Sequence, residues 1–238
     1  ANTYGSKLLN QIIGGGFPFP KSLYAVMDCI QAVIHDKDKA TILDIFAGSG
    51  TTGHAVLELN KEDRGNRQFI LCTNNENNIC TEVCYPRVKK VIQGYKSTKG
   101  VKVEGLGGNL KYYKTNFVGS EPTHRNKKLL TDKSIEMLCI KENTFDEVIS
   151  KKDFFIFKSK DKFTAILFDE MKMEEFKNEI KKLKMPISVY VFSLEGDDFK
   201  EEFENVHNDI TLCSIPEAIL KVYRRIYGAG QMKLKSKK

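Results

Sequence analysis

TILDIFAGSGTTGHAVLE, residues 41–58, decides how this chain is read. Ile42, Leu43 and Ile45 predict a buried strand. Phe46-Ala47-Gly48-Ser49-Gly50 is a tight glycine turn, and Thr51 and Thr52 open a helix. Glycine allows positive φ and close approach of a ligand to the backbone. The turn also delivers the positive end of a helix dipole. In an open α/β sheet, a nucleotide-like ligand binds beyond the carboxyl end of a strand, where such a turn lies. No Lys-Ser/Thr pair follows the second glycine, which excludes a phosphate loop.

The 238 residues suffice for one large domain or two small ones, and a 41% hydrophobic content supplies a core. The net charge of +7 suits an acidic partner such as nucleic acid. Basic residues dominate 85–128, where only Glu104 and Glu121 oppose them, and residues 170–209 turn acidic. There is no signal peptide and no apolar run long enough to span a membrane, so a cytoplasmic location without a membrane partner is expected. Of six cysteines, Cys80 and Cys84 lie one helical turn apart, but no second Cys or His pair stands at zinc spacing. Reduced thiols and no metal site are expected.

Outward from the glycine turn, periodicity predicts helices over 2–13 and 21–35, separated by Gly14-Gly15-Gly16 and the proline-held segment FPFPKS, residues 17–22. That segment presents amides, the Ser22 hydroxyl and the Lys21 ammonium to an anion. QFILCT, residues 68–73, reads as a second buried parallel strand, followed by a helix over 79–95 with Pro86 near its first turns. Strand, helix, strand, helix with short connections is a βαβ pattern. At the end of the second strand a carboxylate commonly meets a ribose. Here Glu76 serves, or Asn74 and Asn75 do. Arg87, Lys89 and Lys90 read as an exposed helix face. Residues 94–108 read as a Gly/Lys-rich hinge and 109–118 as a strand. Beyond lie a helix over 129–140, a hairpin from 153–158 and 163–168, a helix over 172–184, strands at 187–194 and 210–213 and a final helix over 216–227. His207 stands alone, without chemistry around it.

DIFAGSGTT, residues 44–52, resembles the DPFAGSGTT element with which amino-methylating DNA methyltransferases bind S-adenosylmethionine (SAM). FPFPKS fits those enzymes' F-x-x-P-K-P/S element at Phe19, Pro20, Lys21 and Ser22. With GLGGNLKYYKT, residues 105–115, the chain resembles the Mod subunits of type III restriction-modification systems and their close relatives, which methylate adenine N6. The resemblance implies a partial Rossmann-like SAM-dependent methyltransferase sheet in residues 1–118, followed by a smaller α+β C-terminal domain in residues 119–238. It implies SAM contacts from Phe46, Ala47, Gly48 and Gly50, with Lys21 and Ser22 at the cofactor's carboxylate end. Asp44 and Thr51 act as polar supports and Glu76 sits near the ribose.

Adenine N6 is a poor nucleophile because its lone pair is conjugated into the ring. In this family an Asp/Asn/Ser-Pro-Pro-aromatic loop accepts its hydrogen bonds and stacks on the flipped base. The chain contains no Pro-Pro pair, so no catalytic residue is assigned. It is expected to be the C-terminal portion of such an enzyme, excised or naturally split, that binds SAM and is inactive alone. The expected partners are double-stranded DNA, the missing catalytic and recognition half, a restriction subunit and a second copy. Two other functions remain open: a non-catalytic dimerisation or docking module, and amine methylation of RNA or protein.

Overall fold

The computed structural model describes residues 2–35, 37–119, 121, 123–193, 199–204, 206 and 209–235. The chain forms two compact units, Ala1–Lys114 and Thr115–Lys238. Both mix helices with sheet.

In the first unit, helices α1 (Asn2–Ile13) and α2 (Leu23–Ile34) precede strand β1 (Thr41–Asp44), helix α3 (Thr51–Asp63) and strand β2 (Gln68–Leu71). β1 and β2 pair in parallel, with Leu43 opposite Ile70 and Asp44 opposite Leu71. The return from α3 into β2 is tied down by side chains. Asn60 brackets the Arg67 backbone, accepting from its N–H at 2.9 Å and donating to its carbonyl at 2.8 Å. The Arg67 guanidinium in turn forks onto the Asp63 carboxylate at 2.8 and 2.6 Å. A short 3-10 turn, Glu76–Asn78, and a π-helical turn, Ile79–Cys84, then lead into helix α4 (Tyr85–Gln93). Pro86 stands in the first turn of α4, where a missing N–H costs nothing.

The apolar stripes of α1 to α4 meet on one side of this two-stranded sheet. Leu23, Met27, Ala55 and Leu59 form one buried cluster, and Ile12, Leu57, Val88 and Val91 another. Phe69 and Leu71 of β2 pack against the second. The opposite face is bare. Leu43 is 60% and Ile70 37% exposed, side by side across the pair, with Ile45 at 59% just beyond β1. The expectation of two fully buried strands is therefore corrected: an apolar run is buried on both faces only when layers cover both faces.

Two further expectations fail in this unit. Residues 94–108 are not a hinge: β3 (Gly94–Lys96) and β4 (Lys102–Glu104) form an antiparallel hairpin. Residues 109–118 form no strand, because alternation alone makes none without a neighbouring edge to pair with.

The second unit is a three-layer α/β/α arrangement. Helix α5 (His124–Glu142) is capped by the Thr123 hydroxyl, which accepts from Asn126 N–H at 3.1 Å. Strands β5 (Asp146–Ser150), β6 (Phe154–Lys158), β7 (Phe163–Leu167), β8 (Ile187–Val191) and β9 (Ile210–Leu212) form one sheet in that order. The first three are antiparallel neighbours and the last three parallel. Helices α6 (Met173–Ile180) and α7 (Lys200–Phe203) fill the parallel crossovers, and α8 (Glu217–Lys235) closes the chain. Alternation splits the core cleanly. Phe157, Ile166, Tyr190 and Phe192 pack with α5 and α8, while Phe154, Ile156, Ala165 and Leu167 pack with Phe176, Ile180 and Phe203. β5 was not foreseen, α5 begins earlier than expected, and α8 runs beyond 227. Residue 194, the expected end of the strand over 187–194, and the lone His207 lie outside the described residues.

Candidate functional site

The glycine turn leaves the carboxyl end of β1 and enters α3 through two left-handed residues, Gly48 (φ 49°) and Gly50 (φ 73°). Gly50 is the N-cap of α3, so no side chain covers the first amides of that helix. The turn is stitched to β2: Cys72 N–H donates to Asp44 O at 2.8 Å, and Ala47 N–H donates to Cys72 O at 3.0 Å. Asp44 works inside the turn, with Oδ1 accepting from Phe46 N–H at 3.0 Å and Oδ2 from the Thr52 hydroxyl at 2.6 Å. Ala47 is buried, while the Phe46 ring stands 86% exposed at the tip.

Both glycines are also closely packed. A β-carbon on Gly48 would lie 3.1 Å from Phe17 Cζ. One on Gly50 would meet Cys84 Sγ at 3.1 Å, Val88 Cγ2 at 3.2 Å and the Cys84 carbonyl at 3.3 Å. Gly50→Ala is expected to destabilise the unit by about 2 kcal/mol, combining left-handed strain with overpacking; an unchanged urea midpoint would contradict this. Gly53, three residues beyond Gly50, completes a Gly-x-Gly-x-x-Gly spacing. Its absent side chain lets α3 settle onto β2, where a β-carbon would lie 2.9 Å from Leu71 Cδ1.

The proline-held segment reaches the same place. Pro20 is buried, and the carbonyls of Pro20 and Lys21 lie against Gly5 of α1. Phe17 thereby stands against Gly48, while Phe19 and Lys21 are exposed and Ser22, half-buried, is the N-cap of α2. Glu76 lies exposed just past the end of β2, accepting from Asn74 Nδ2 at 3.3 Å. Asn75 is engaged with Thr81 at the surface, accepting from its N–H at 3.1 Å and its hydroxyl at 3.2 Å.

Beneath the turn lies a residue that sequence reasoning assigned to an exposed face. Arg87 is fully buried. Its Nη1 donates to Ser49 O at 3.2 Å, Ser49 Oγ at 3.1 Å and Thr51 Oγ1 at 2.7 Å. Its Nη2 lies 3.4 Å from His54 Nδ1. Guanidinium nitrogens only donate, so Nδ1 accepts and Nε2 carries the proton. His54 Nε2 then faces Glu58 Oε1 at 3.3 Å. Burial lowers the His54 pKa, keeping the ring neutral, and the His54 hydrogen bond lowers that of Glu58. Burial also brings Arg87 down to about 10, so it remains a cation at neutral pH. The Thr51 hydroxyl thus faces Arg87 rather than the open side. Lys89 and Lys90 are exposed as expected, and Lys90 ties α4 to α1 by donating to Ile12 O at 2.9 Å. Behind Gly50, burial pushes the Cys84 thiol up to about 11, so it packs as an unreactive neutral group.

Residues 2–84 match a family model described as DNA methylase. The chain is 47% identical over 74 residues to the type III restriction-modification enzyme StyLTI Mod subunit of Salmonella typhimurium, covering 31% of this chain and 11% of that protein. It is 34% identical over 113 residues to the type II methyltransferase M.KpnI of Klebsiella pneumoniae, covering 48% and 23%. It is 37% identical over 75 residues to the type III EcoPI Mod subunit of Escherichia phage P1, covering 32% and 11%. The matched segments therefore span less than a quarter of each of these proteins.

Proposed function

Since residues 2–84 carry a DNA methylase segment similar to Mod subunits, we propose that this chain supplies the SAM-binding portion of a site-specific DNA adenine-N6 methyltransferase of a restriction-modification system. The observation that carries the reading is the meeting of Phe17, from the proline-held segment, with Gly48 of the glycine turn at the carboxyl end of β1. On this reading the β1–α3–β2 unit belongs to a Rossmann-like sheet within residues 1–118, and residues 119–238 are a separate C-terminal domain.

The residues fit the cofactor. Uncapped amides open α3 beside the turn, an exposed aromatic ring stands at its tip, and an ammonium, a hydroxyl and a carboxylate are available from Lys21, Ser22 and Glu76. Phe46, Ala47, Gly48 and Gly50 would line SAM, with Lys21 and Ser22 at its carboxylate end and Glu76 at its ribose. Asp44 and Thr51 have their side chains engaged within the turn and underlying core, so they shape the site rather than touch its occupant. When bound, SAM supplies an electrophilic methyl group. Amine activation requires a Pro-Pro-aromatic loop, and none occurs in residues 1–238. The chain by itself binds SAM and transfers no methyl group. The bare face carrying Leu43 and Ile70 offers apolar surface to the complementary catalytic half. Double-stranded DNA and a restriction subunit are the parent enzyme's partners.

Calorimetric titration with SAM tests this. Micromolar binding is expected, weakened at least tenfold by Phe46→Ala, a change that removes no buried packing and leaves the circular dichroism spectrum unaltered. A folded chain that gives no SAM heat, or a Phe46→Ala chain that binds equally well, would refute the proposal.

A further inference from the structure

The β3–β4 hairpin carries an arrangement that nothing in the SAM site uses. Its register sets Lys96 directly opposite Lys102, both exposed. Like charges at directly opposed positions destabilise a strand pair unless an anion lies between them. A third exposed lysine, Lys99, sits in the connecting turn. Among the described residues, Lys96 and Lys99 have no ion-pair partner, and Lys102 meets only Glu104, at 2.9 Å with both side chains about four-fifths exposed. Such an exposed pair is weak and readily exchanged.

The hairpin is nonetheless firmly built. Ser97 N–H donates to Val101 O at 2.8 Å, Gly100 N–H to Ser97 O at 2.8 Å, and Val101 N–H to Ser97 Oγ at 3.2 Å, closing the turn. At its base, Leu106 and Gly107 donate to the carbonyls of Val91 and Ile92 at the end of α4. An ordered hairpin that opposes Lys96 to Lys102 and exposes Lys99 in its turn therefore presents three lysines with a single exposed carboxylate, Glu104, as counter-ion.

We propose that this hairpin is a phosphate-contacting arm that lies on the backbone of duplex DNA. Lysine ammoniums are point charges on flexible stems, suited to phosphate rather than to the planar edges of bases. The arm therefore adds affinity and positions the duplex without reading sequence. The inference rests on DNA being the substrate of the parent enzyme, and its test is independent of SAM.

The experiment is fluorescence anisotropy of a labelled 20-base-pair duplex of arbitrary sequence, titrated with the 238-residue chain at salt concentrations from about 50 to 200 mM. Lys96→Glu/Lys99→Glu/Lys102→Glu is compared with an equal charge change on the second unit, Lys160→Glu/Lys181→Glu/Lys184→Glu. The hairpin variant is expected to lose at least tenfold in affinity. Its slope of log K against log salt is expected to fall by two to three, about one per phosphate contact. The control should retain most of both. Equal losses in the two variants would reduce the effect to net charge and overturn the arm. So would a wild-type chain that binds SAM but not DNA, which leaves the proposed function standing. Hairpin-dependent DNA binding by a chain that binds no SAM would support the arm and count against the SAM-binding role.

Discussion

Replacing Glu142 with alanine should lower the stability of the second unit by about 3–5 kcal/mol, the range for breaking a buried ionic network from one side. Glu142, at the end of α5, is 9% exposed. Its Oε2 accepts from Lys162 Nζ at 2.6 Å and from the Ser188 hydroxyl at 2.9 Å, and its Oε1 accepts from the Tyr190 hydroxyl. Lys141 donates to the same Tyr190 oxygen at 2.9 Å. Alanine would leave the two strand hydroxyls and the Lys162 ammonium without their acceptor, at a cost of about 1–3 kcal/mol for each group that water cannot reach. Glutamine retains the shape and one acceptor, so Glu142→Gln should lose less than half as much. Urea denaturation followed by far-UV circular dichroism reads both, since the chain has no tryptophan.

The same network fixes a pH dependence. Burial alone would raise the Glu142 pKa, but hydrogen bonds from Lys162, Tyr190 and Ser188 outweigh it and leave the pKa lowered. A depressed carboxylate pKa contributes stability that is fully present above the unfolded value, about 4.3, and is lost as pH falls through the folded one. Wild type should therefore lose stability more steeply than Glu142→Gln below about pH 4. Parallel curves for the two would show that the carboxylate charge contributes nothing.

Arg87→Met is the second large effect, and its sign is decided by competing terms. Removing a buried cation relieves a desolvation cost, and Ser49 and Thr51, whose hydroxyls lie 3.2 Å apart, can still satisfy each other. The Ser49 carbonyl and His54 Nδ1 then lose the donors they have in the wild type. Two such acceptors cost about 1–3 kcal/mol each, so a net loss of about 2–4 kcal/mol is expected in the first unit. The turn also loses the clamp that holds Ser49 and Thr51 beneath Gly48 and Gly50, so on the proposed function SAM affinity should fall at least tenfold. Arg87→Lys should recover little, because one ammonium cannot span acceptors that a planar fork reaches together. Full stability and full SAM binding in Arg87→Met would refute the clamp.

Much of the molecule was legible from residue order. The stripes of α1, α2 and α3 report which helix face is buried, and the short, largely apolar runs of β6, β7 and β8 report strands covered on both faces. β5 escaped notice because an edge strand that is largely exposed needs backbone pairing rather than apolar alternation. Residues 109–118 misled for the converse reason: they alternate but have no edge to join. The hairpin was hidden in a Gly/Lys-rich stretch, where Gly100 at φ 81° marks a turn that a hinge could equally contain.

By itself, the sequence determined the glycine turn, because positive φ at Gly48 and Gly50 is a property of residues without a β-carbon. It also determined the methylase-like segment and the absence of a Pro-Pro loop, which are properties of residue order. Only the tertiary structure decided the fates of Arg87 and Glu142. Arg87 finds its acceptors 33 to 38 residues away, and Glu142 finds its donors 20 to 48 residues away. A charged side chain enters a core only where partners converge to replace its water. That convergence belongs to the packing of α4 beneath the turn and of α5 on the sheet, and neither helix's own sequence records it.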